Sequence, residues 1–362
     1  MPTPPQPRSR RRRLWMGLVA ATFGLLVALA GVEAFLRFAD PLGLKYERES
    51  ATYRTQALLF AWEQRPPAEL DLDGRLYQHK PNLDLSLGSF RLRTNSRGCR
   101  GPEVVVPKPA DVFRIVLLGD SVAFGWGVDD EVTFARRLET EWNAKTRGKR
   151  LEVVNTGHPM YDTNQEEATL REVGLALQPD LVLLVYVVND IEPTRDVVEL
   201  TLSGKDPHPE EAVVVPDDVW TSMQALLRPV LPAIGTLVGL RSDLQARVQR
   251  VLPPGETYRP EGFGKGPRGW PRSQQALLRI RDACAKAQVP LLLFDHTLPR
   301  IEPLRPFCAE HGIEFEELWF STADHELGIV NSPLDTHANA KGHDLLLQRL
   351  RGALERRGLL PK

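Results

Sequence analysis

Short, continuously apolar runs recur through the second two-thirds of the sequence, and amphipathic stretches separate them. The clearest runs are Phe113–Leu118, Leu151–Asn155, Leu181–Val188 and Leu291–Phe294, with a weaker one near Ile313–Phe315. Runs that are apolar on both faces are typical of parallel strands covered by helices on both sides of a sheet. The alternation therefore predicts a doubly wound, three-layer α/β sandwich with a mainly parallel sheet of about five strands.

The stretches between these runs carry the helical signals. Residues 134–142 and 277–287 place apolar side chains at helical spacing. Asn339 is the predicted N-cap of a final helix that ends before Gly358. Residues 194–270 interrupt the alternation with two possible helices, at 217–227 and 243–251, and a glycine- and proline-rich end. We predict that this insertion lies over the carboxyl ends of the strands, either as a partial lid or as a surface excursion without function.

The N-terminus has the pattern of a membrane-targeting segment. Residues 1–13 contain five arginines and no acidic residue, and the next 19 residues, Leu14–Val32, carry no charge. That length suits a helix crossing a hydrocarbon core of about 30 Å, and flanking arginines favour the cytoplasmic side. We predict a basic cytoplasmic tail (1–13), a transmembrane signal-anchor (14–36) and an extracytoplasmic body at the cell membrane, periplasmic in a Gram-negative cell. A cleaved signal peptide with its site near Ala30, and a twin-arginine signal near Arg10, stay open.

The rest of the chain divides at a turn-rich stretch. Residues 37–110 predict a juxtamembrane region of short, irregular elements, which the segment LRTNSRGCRGPE and two prolines close, and residues 111–358 predict the α/β domain. Beyond the arginine-rich tail the chain is mildly acidic, which argues against a nucleic-acid-binding surface. Three scattered cysteines are too few for a disulfide framework or a zinc site.

Four polar motifs stand where the predicted strands end or just before the last helix. They are Gly119-Asp120-Ser121, Asn155-Thr156-Gly157, Asn189-Asp190 and Asp335-Thr336-His337. A serine at a tight turn after a strand presents its hydroxyl beside backbone N–H groups, and glycine lets an N–H approach a substrate closely. An asparagine amide can donate to developing negative charge, and a carboxylate beside an imidazole fixes its tautomer.

This set of motifs resembles the SGNH (GDSL) hydrolase family over about residues 112–355, and NSRGCRGPE is similar to the approach segment of its membrane-anchored members. The resemblance implies Ser121 as nucleophile, His337 as general base and Asp335 as the group that orients it. It implies an oxyanion hole made of the Ser121 and Gly157 N–H groups and the Asn189 side chain, with no cofactor and no metal. Two departures stand out: Val187 occupies the glycine position of the third block, and one residue, not two, separates Asp335 from His337.

Other histidines offer rival interpretations. His296 follows the strand at 291–294 and is an alternative base. His158 is either a pocket residue or a plain turn residue. His343 with Asp335 matches no common zinc spacing.

The resemblance implies a two-step reaction on an ester-bearing small molecule or glycan. Transfer of the acyl group to water makes an esterase, which we expect, and transfer to a sugar hydroxyl makes a polysaccharide O-acyltransferase. A membrane-tethered glycan-binding protein without turnover is the alternative from a different class. Acyl length and oligomeric state are outside what the residues indicate.

Overall fold

A computed structural model describes residues 10–66, 69–71, 73–191, 227, 229–239, 257–258, 269–298 and 300–361. Nearly all of the predicted insertion at 194–270, with its two predicted helices, lies outside the described residues. The first nine residues of the predicted basic tail lie outside them as well. The chain forms two compact units, residues 1–46 with 213–251 and residues 47–212 with 252–362.

The helices and strands are numbered here in chain order. The helices are α1 Arg10–Phe38, α2 Lys45–Thr52, α3 Ala61–Gln64, α4 Ser121–Phe124, α5 Phe134–Asn143, α6 Thr163–Thr169, α7 Pro232–Gly239, α8 Trp270–Ala287, α9 Leu304–Glu310, α10 Thr322–Glu326 and α11 Ala340–Arg356. The strands are β1 Leu58–Phe60, β2 Tyr77–His79, β3 Asp84–Ser86, β4 Arg91–Arg93, β5 Val112–Gly119, β6 Arg150–Asn155, β7 Leu181–Tyr186, β8 Thr257–Tyr258, β9 Leu291–Asp295, β10 Arg300–Ile301 and β11 Glu314–Glu317.

The central sheet has five strands in the order β11-β9-β7-β5-β6, and every neighbouring pair is parallel. The predicted α/β fold and the five predicted strands are therefore confirmed. The strand order reverses between β5 and β7, because the chain first adds β6 on one side and then β7, β9 and β11 on the other. Ligands of doubly wound sheets bind in the crevice at such a point, outside the carboxyl ends of the strands.

Alternate residues of β5 face two separate apolar cores. Ile115 and Leu117 pack in one core, which also contains Phe134 of α5 and Leu346 of α11. Val116 and Leu118 pack in the other, which contains Leu277 and Ile280 of α8. Side chains alternate across a strand, so an uninterrupted apolar run is buried on both sides only when helices cover both faces. The sheet is thus the middle layer of the predicted three-layer sandwich.

Residues 47–110 form two antiparallel strand pairs, β1 with β2 and β3 with β4. The segment that follows reaches the edge of the central sheet, where the Arg100 N–H donates to the Asn155 carbonyl at 3.0 Å. Leu76 and Leu92 are buried in this part of the unit. The predicted boundary at 110/111 stays a prediction, and these contacts make residues 47–110 part of the same compact unit as the sheet.

In the other unit, α1 contains the predicted signal-anchor, residues 14–36. Among the described residues it is the one helix whose length and apolar composition would allow it to cross a membrane. This helix fits either a membrane anchor or a signal peptide.

Candidate active site

Ser121 begins the short helix α4 directly after β5, in a stretch that we call the serine turn (residues 119–128). Gly119 has φ +144°, and a Cβ there would lie 2.6 Å from the Ala123 Cβ and 3.0 Å from the Val185 carbonyl oxygen. A side chain is therefore excluded where the strand bends into the helix. Asp120 caps α4 by accepting the Val122 N–H at 2.9 Å. The apolar strand, the glycine and the cap together place Ser121 at the carboxyl end of β5.

A chain of hydrogen bonds joins the serine to the last of the four motifs. The Ser121 Oγ lies 2.8 Å from His337 Nε2, and His337 Nδ1 lies 2.6 Å from Asp335 Oδ1. The single intervening residue, Thr336, thus leaves Asp335 within reach of the imidazole. The Asp120 carboxylate also accepts from the Ser121 hydroxyl, at 3.0 Å, so the hydroxyl proton has two acceptors within reach.

Asp335 is 5% exposed, and residues close to it in sequence hold it. We call residues 331–339 the histidine loop. Asn331 donates its side-chain amide to Asp335 Oδ2 at 3.1 Å, and the Ser332 Oγ accepts the Asp335 N–H at 3.0 Å. The Asn331 N–H donates to the His337 carbonyl at 3.0 Å, which closes the loop. Sequence analysis missed both Asn331 and Ser332, although the Asn-Ser-Pro sequence is a recognisable turn signal.

The serine turn is held by residues that are far away in the sequence. The Arg100 side chain is 0% exposed, and its guanidinium donates to the carbonyls of Phe124, Gly125 and Val128 at 2.8, 2.7 and 2.5 Å. The Asn155 amide donates to the Ala123 carbonyl at 2.8 Å. Burial lowers the pKa of Arg100 to about 10, which still leaves it charged at neutral pH. Arg100 belongs to the NSRGCRG stretch, whose resemblance to the family was the only signal for its importance.

The three predicted oxyanion-hole groups differ in their surroundings. The Ser121 N–H and the half-buried Asn189 side chain have no hydrogen-bond partner within the part of the chain that the structure describes. The Gly157 N–H, in contrast, donates to the Asn155 Oδ1 at 3.0 Å. Gly157 is nevertheless required sterically, because a Cβ there would lie 2.6 Å from the Phe124 nitrogen.

Asn189 lies in a tight helical turn, Val188–Ile191, rather than at the end of the strand. The strand was predicted to run to Val188, but β7 ends at Tyr186. The Asp190 carboxylate caps the turn by accepting the Val187 N–H at 2.5 Å. Val187 has no positive φ, which explains why the glycine of the family pattern is not needed here.

Beneath this turn lies a buried pair of acids, Asp190 and Glu166, that sequence analysis also missed. Glu166 is 0% exposed and Asp190 1%. Burial raises the pKa of both carboxyl groups well above the usual range, and the negative charge of Asp190 raises that of Glu166 further. Thr163 donates its hydroxyl to the Asp190 carbonyl at 3.0 Å and contacts the Ser273 hydroxyl at 2.8 Å. Protonation of one of the two carboxyl groups relieves both the cost of burying a charge and the repulsion between the two charges.

The other histidines that the sequence analysis considered, all within the described residues, have no hydrogen bond to Ser121. The His296 ring nitrogen Nδ1 is 3.0 Å from the Leu318 carbonyl, and its ring packs edge-on against Phe320. His158 is buried rather than in an exposed turn, and it stacks on His79 with ring centroids 3.9 Å apart. The Phe134 N–H donates to His343 at 3.2 Å. Burial lowers the pKa of His158 and of His343 to about 3, which keeps both rings neutral.

Cysteine and metal chemistry have little support in the described parts of the chain. Cys99, Cys284 and Cys308 are buried and unpaired, and burial raises the pKa of Cys99 to about 11. No group of three or more His, Cys, Asp or Glu side chains among the described residues is placed to hold a metal ion.

Comparisons with known proteins identify the family of the chain. The family model for GDSL-like lipase/acylhydrolases matches residues 117–345, which is more than half of the chain. No curated protein matches the sequence. Solved structures similar to this chain include a psychrotrophic esterase from Pseudoalteromonas sp., at 11% identity and a TM-score of 0.40, with 68% of this chain and 99% of that chain covered.

Two further structures are similar at the same level. The lipase/acylhydrolase from Enterococcus faecalis has 13% identity and a TM-score of 0.38, with 68% of this chain and 96% of that chain covered. An acetylxylan esterase from Geobacillus stearothermophilus has 12% identity and a TM-score of 0.38, with 68% and 94% covered. These scores are low, so family membership rests on the matched family model. The chain belongs to the GDSL-like lipase/acylhydrolase (SGNH) family, and it is an ester-bond hydrolase.

Proposed function

We propose that the protein is a serine esterase in which Ser121 is the nucleophile, His337 the general base and Asp335 the group that orients the histidine. The observation that carries the proposal is the hydrogen-bonded chain from Ser121 Oγ to His337 Nε2, at 2.8 Å, and from His337 Nδ1 to Asp335 Oδ1, at 2.6 Å. Nucleophile, base and orienting carboxylate within hydrogen-bond reach of one another are the arrangement that acyl transfer by serine needs.

In the first step, His337 Nε2 takes the hydroxyl proton while Ser121 Oγ bonds to the ester carbonyl carbon. The carbonyl π electrons move to the oxygen, and the Ser121 N–H and the Asn189 amide donate hydrogen bonds to that oxyanion. The Gly157 N–H would join them by sharing its proton between Asn155 and the substrate. When the tetrahedral intermediate collapses, the protonated histidine gives its proton to the departing alkoxide, and Ser121 is left acylated.

In the second step, His337 takes a proton from water while the water oxygen bonds to the acyl carbon. When this second tetrahedral intermediate collapses, the bond from the acyl carbon to Ser121 Oγ breaks, the protonated histidine gives its proton to Ser121 Oγ, and the acid is released. The buried Asp335 carboxylate stabilises the imidazolium in both steps without being protonated itself. Each half of the reaction therefore uses the same three side chains, and no cofactor takes part in it.

The test is hydrolysis of p-nitrophenyl acetate by the full chain in detergent. We expect Ser121→Ala and His337→Ala each to lose about 10³-fold or more in kcat/KM. His296→Ala, which removes the rival base, and His325→Ala on α10 are matched histidine controls, and both keep activity. Equal activity in all four variants would reject the proposal and favour a glycan-binding protein that does not turn over.

For the natural reaction we propose hydrolysis of an ester, with acetyl groups on a glycan as the candidate substrate. The same serine would serve an O-acyltransferase if a sugar hydroxyl replaced water in the second step. The two are separated by rapid-mixing kinetics with and without added oligosaccharide. A burst of p-nitrophenol followed by slow turnover that the sugar accelerates, with acylated sugar as product, would favour transfer over hydrolysis.

We also propose that α1 remains attached as a single-pass anchor and that the α/β domain lies outside the cytoplasm. The arginines at the start of α1 support this orientation. Protease added to intact spheroplasts should then digest the domain, and N-terminal sequencing should find α1 still present. A mature protein that begins after residue 30 would instead show a cleaved signal peptide.

A further inference from the structure

A second apolar helix in the chain packs against α1. This helix, α7 (Pro232–Gly239), has the sequence PAIGTLVG and no charged residue. It comes from the insertion, some 200 residues after α1, and it belongs to the same compact unit. The uncharged run 229–240 is flanked in the sequence by Arg228 and Arg241. At 1.5 Å per residue the eight residues of α7 are roughly 12 Å long, which is too short to cross a bilayer.

The contact between the two helices is centred on a carboxylate of α1. Glu33 is 6% exposed, in a helix whose other side chains are mostly exposed. Its carboxylate accepts the Ala233 N–H at 3.0 Å and the Ile234 N–H at 2.9 Å, which are N–H groups of the first turn of α7. Arg37, one turn further along α1, donates to the same carboxylate at 2.5 Å. An acid in an apolar helix needs such partners, and a helix N-terminus suits a negative charge.

The position of Glu33 along α1 gives the depth of the contact. Leu14 follows the arginines, so it marks the start of the uncharged part of the helix. From Leu14 to Glu33 the helix rises by about 28 Å. This is close to the hydrocarbon thickness of about 30 Å. If α1 spans a bilayer, Glu33 and the start of α7 lie where the hydrocarbon core meets the headgroups on the far side.

We propose that α7 is a second membrane-contacting element, which lies in the headgroup–acyl boundary and is docked on α1 through Glu33. Its partner is the surface of a lipid bilayer. Short, uncharged helices flanked by arginines suit this boundary, because the apolar side chains enter the acyl region while the cations stay near the phosphates. Val230, just before α7, is 74% exposed in the protein alone and would insert into lipid. The proposal rests on α1 as an anchor and is independent of the esterase chemistry.

The test places an environment-sensitive fluorophore on Val230→Cys in the full chain, reconstituted into phosphatidylcholine–phosphatidylglycerol vesicles. The control is Glu310→Cys, an exposed position on α9; the native cysteines are buried. Co-flotation with the vesicles first checks the anchor. In floating protein we expect blue-shifted emission and quenching by brominated acyl chains at position 230, and neither at 310. Water-like emission at position 230 in floating protein overturns the proposal.

The role of Glu33 is tested in the same labelled protein. Glu33→Leu removes both acceptors for the N–H groups of α7, and we expect most of the quenching at position 230 to be lost. Glu33→Gln keeps one carbonyl oxygen and should fall between Glu33→Leu and the parent. Unchanged quenching in Glu33→Leu would reject docking through Glu33. Because fluorescence is read without turnover, these results stand apart from those on Ser121.

Discussion

The two halves of the candidate site are held in contrasting ways. The serine turn is secured by Arg100 and Asn155, which lie more than 20 residues away in the sequence and hydrogen-bond its carbonyls. The histidine loop is secured from within, because Asn331 and Ser332 hold Asp335 across three or four residues. The His337 side chain is 21% exposed, whereas that of Arg100 is fully buried.

This difference predicts that substitutions in one half lower stability and that substitutions in the other half lower turnover. The polar groups around the serine turn form part of the folded core, so losing one of them leaves buried carbonyls without a donor and lowers the stability of the domain. The histidine loop makes its contacts locally and near solvent, so a change there should reduce turnover with little effect on unfolding. Measuring kcat and stability on the same variants tests whether the two halves are in fact separable.

The largest expected effect on turnover is that of Asp335→Asn. The amide keeps the shape of the side chain but cannot stabilise an imidazolium, so we expect kcat to fall by roughly 10³- to 10⁴-fold. The melting temperature should change little. Asp324→Asn in the cap of α10 serves as the control, with unchanged kcat. An Asp335→Asn variant that retained activity would show that the carboxylate is not the orienting group.

For stability, the largest expected effect is that of Arg100→Gln. The variant replaces a buried charged donor to three carbonyls of the serine turn by a shorter neutral amide, and we expect the free energy of unfolding to fall by about 3 kcal/mol. Arg91→Gln is the control, because Arg91 pairs with Asp84 at the surface, and such exposed ion pairs contribute little to stability. Urea unfolding of the two variants compares them. Equal losses of unfolding free energy in the two variants would show that Arg100 does not stabilise the serine turn more than a surface ion pair stabilises its own region.

The acid pair beneath the Asn189 turn predicts a pH dependence. The pKa of Glu166 is raised in the folded protein, mainly by burial, so its contribution to stability is complete below the ordinary glutamate pKa of about 4.5 and is lost as pH rises through the folded value. Between those values the folded state holds one more proton, and stability falls by about 1.4 kcal/mol per pH unit.

Glu166→Gln should reduce that slope, since the amide is neutral at every pH and can donate a hydrogen bond to Asp190. Chemical unfolding at a series of pH values measures it. Glu167→Gln, at the next position of α6, leaves the pair intact and should retain the slope. Parallel curves for the parent and Glu166→Gln would show that the pair does not hold an extra proton.

The smallest effect is expected for Asn331→Ala. The substitution removes the hydrogen bond from Asn331 to Asp335 Oδ2 but leaves the hydrogen bond between Asp335 and His337. A loss of about 1 kcal/mol of transition-state stabilisation corresponds to roughly a five-fold decrease in kcat. Ser332→Ala, which affects only the Asp335 N–H, should decrease kcat less. A stability loss in Asn331→Ala as large as that in Arg100→Gln would contradict the local character of the histidine loop.

Much of this protein could be predicted from local patterns. The apolar runs gave the five strands to within a few residues, and Asn339 caps α11, accepting the Lys341 N–H at 2.9 Å. The four motifs stand after strands or before α11. Ser121 of the first motif hydrogen-bonds to His337 of the last, and Asn155 of the second donates to the Ala123 carbonyl of the serine turn. The predicted strand ends were less accurate than the strands themselves. The turn at Asn189 is stabilised by side-chain hydrogen bonds of Asp190, which apolar periodicity does not show.

The sequence by itself therefore determined the three layers, the five strands and the residue types of the site. Apolar periodicity and turn chemistry are local, and they can be read along the chain. Only the tertiary structure decided that Arg100 supports the serine turn, that Glu166 lies against Asp190, and that Glu33 meets α7. A polar side chain carries no local sign of its partner, because a buried hydrogen bond or a shared proton exists only once distant segments have been brought together.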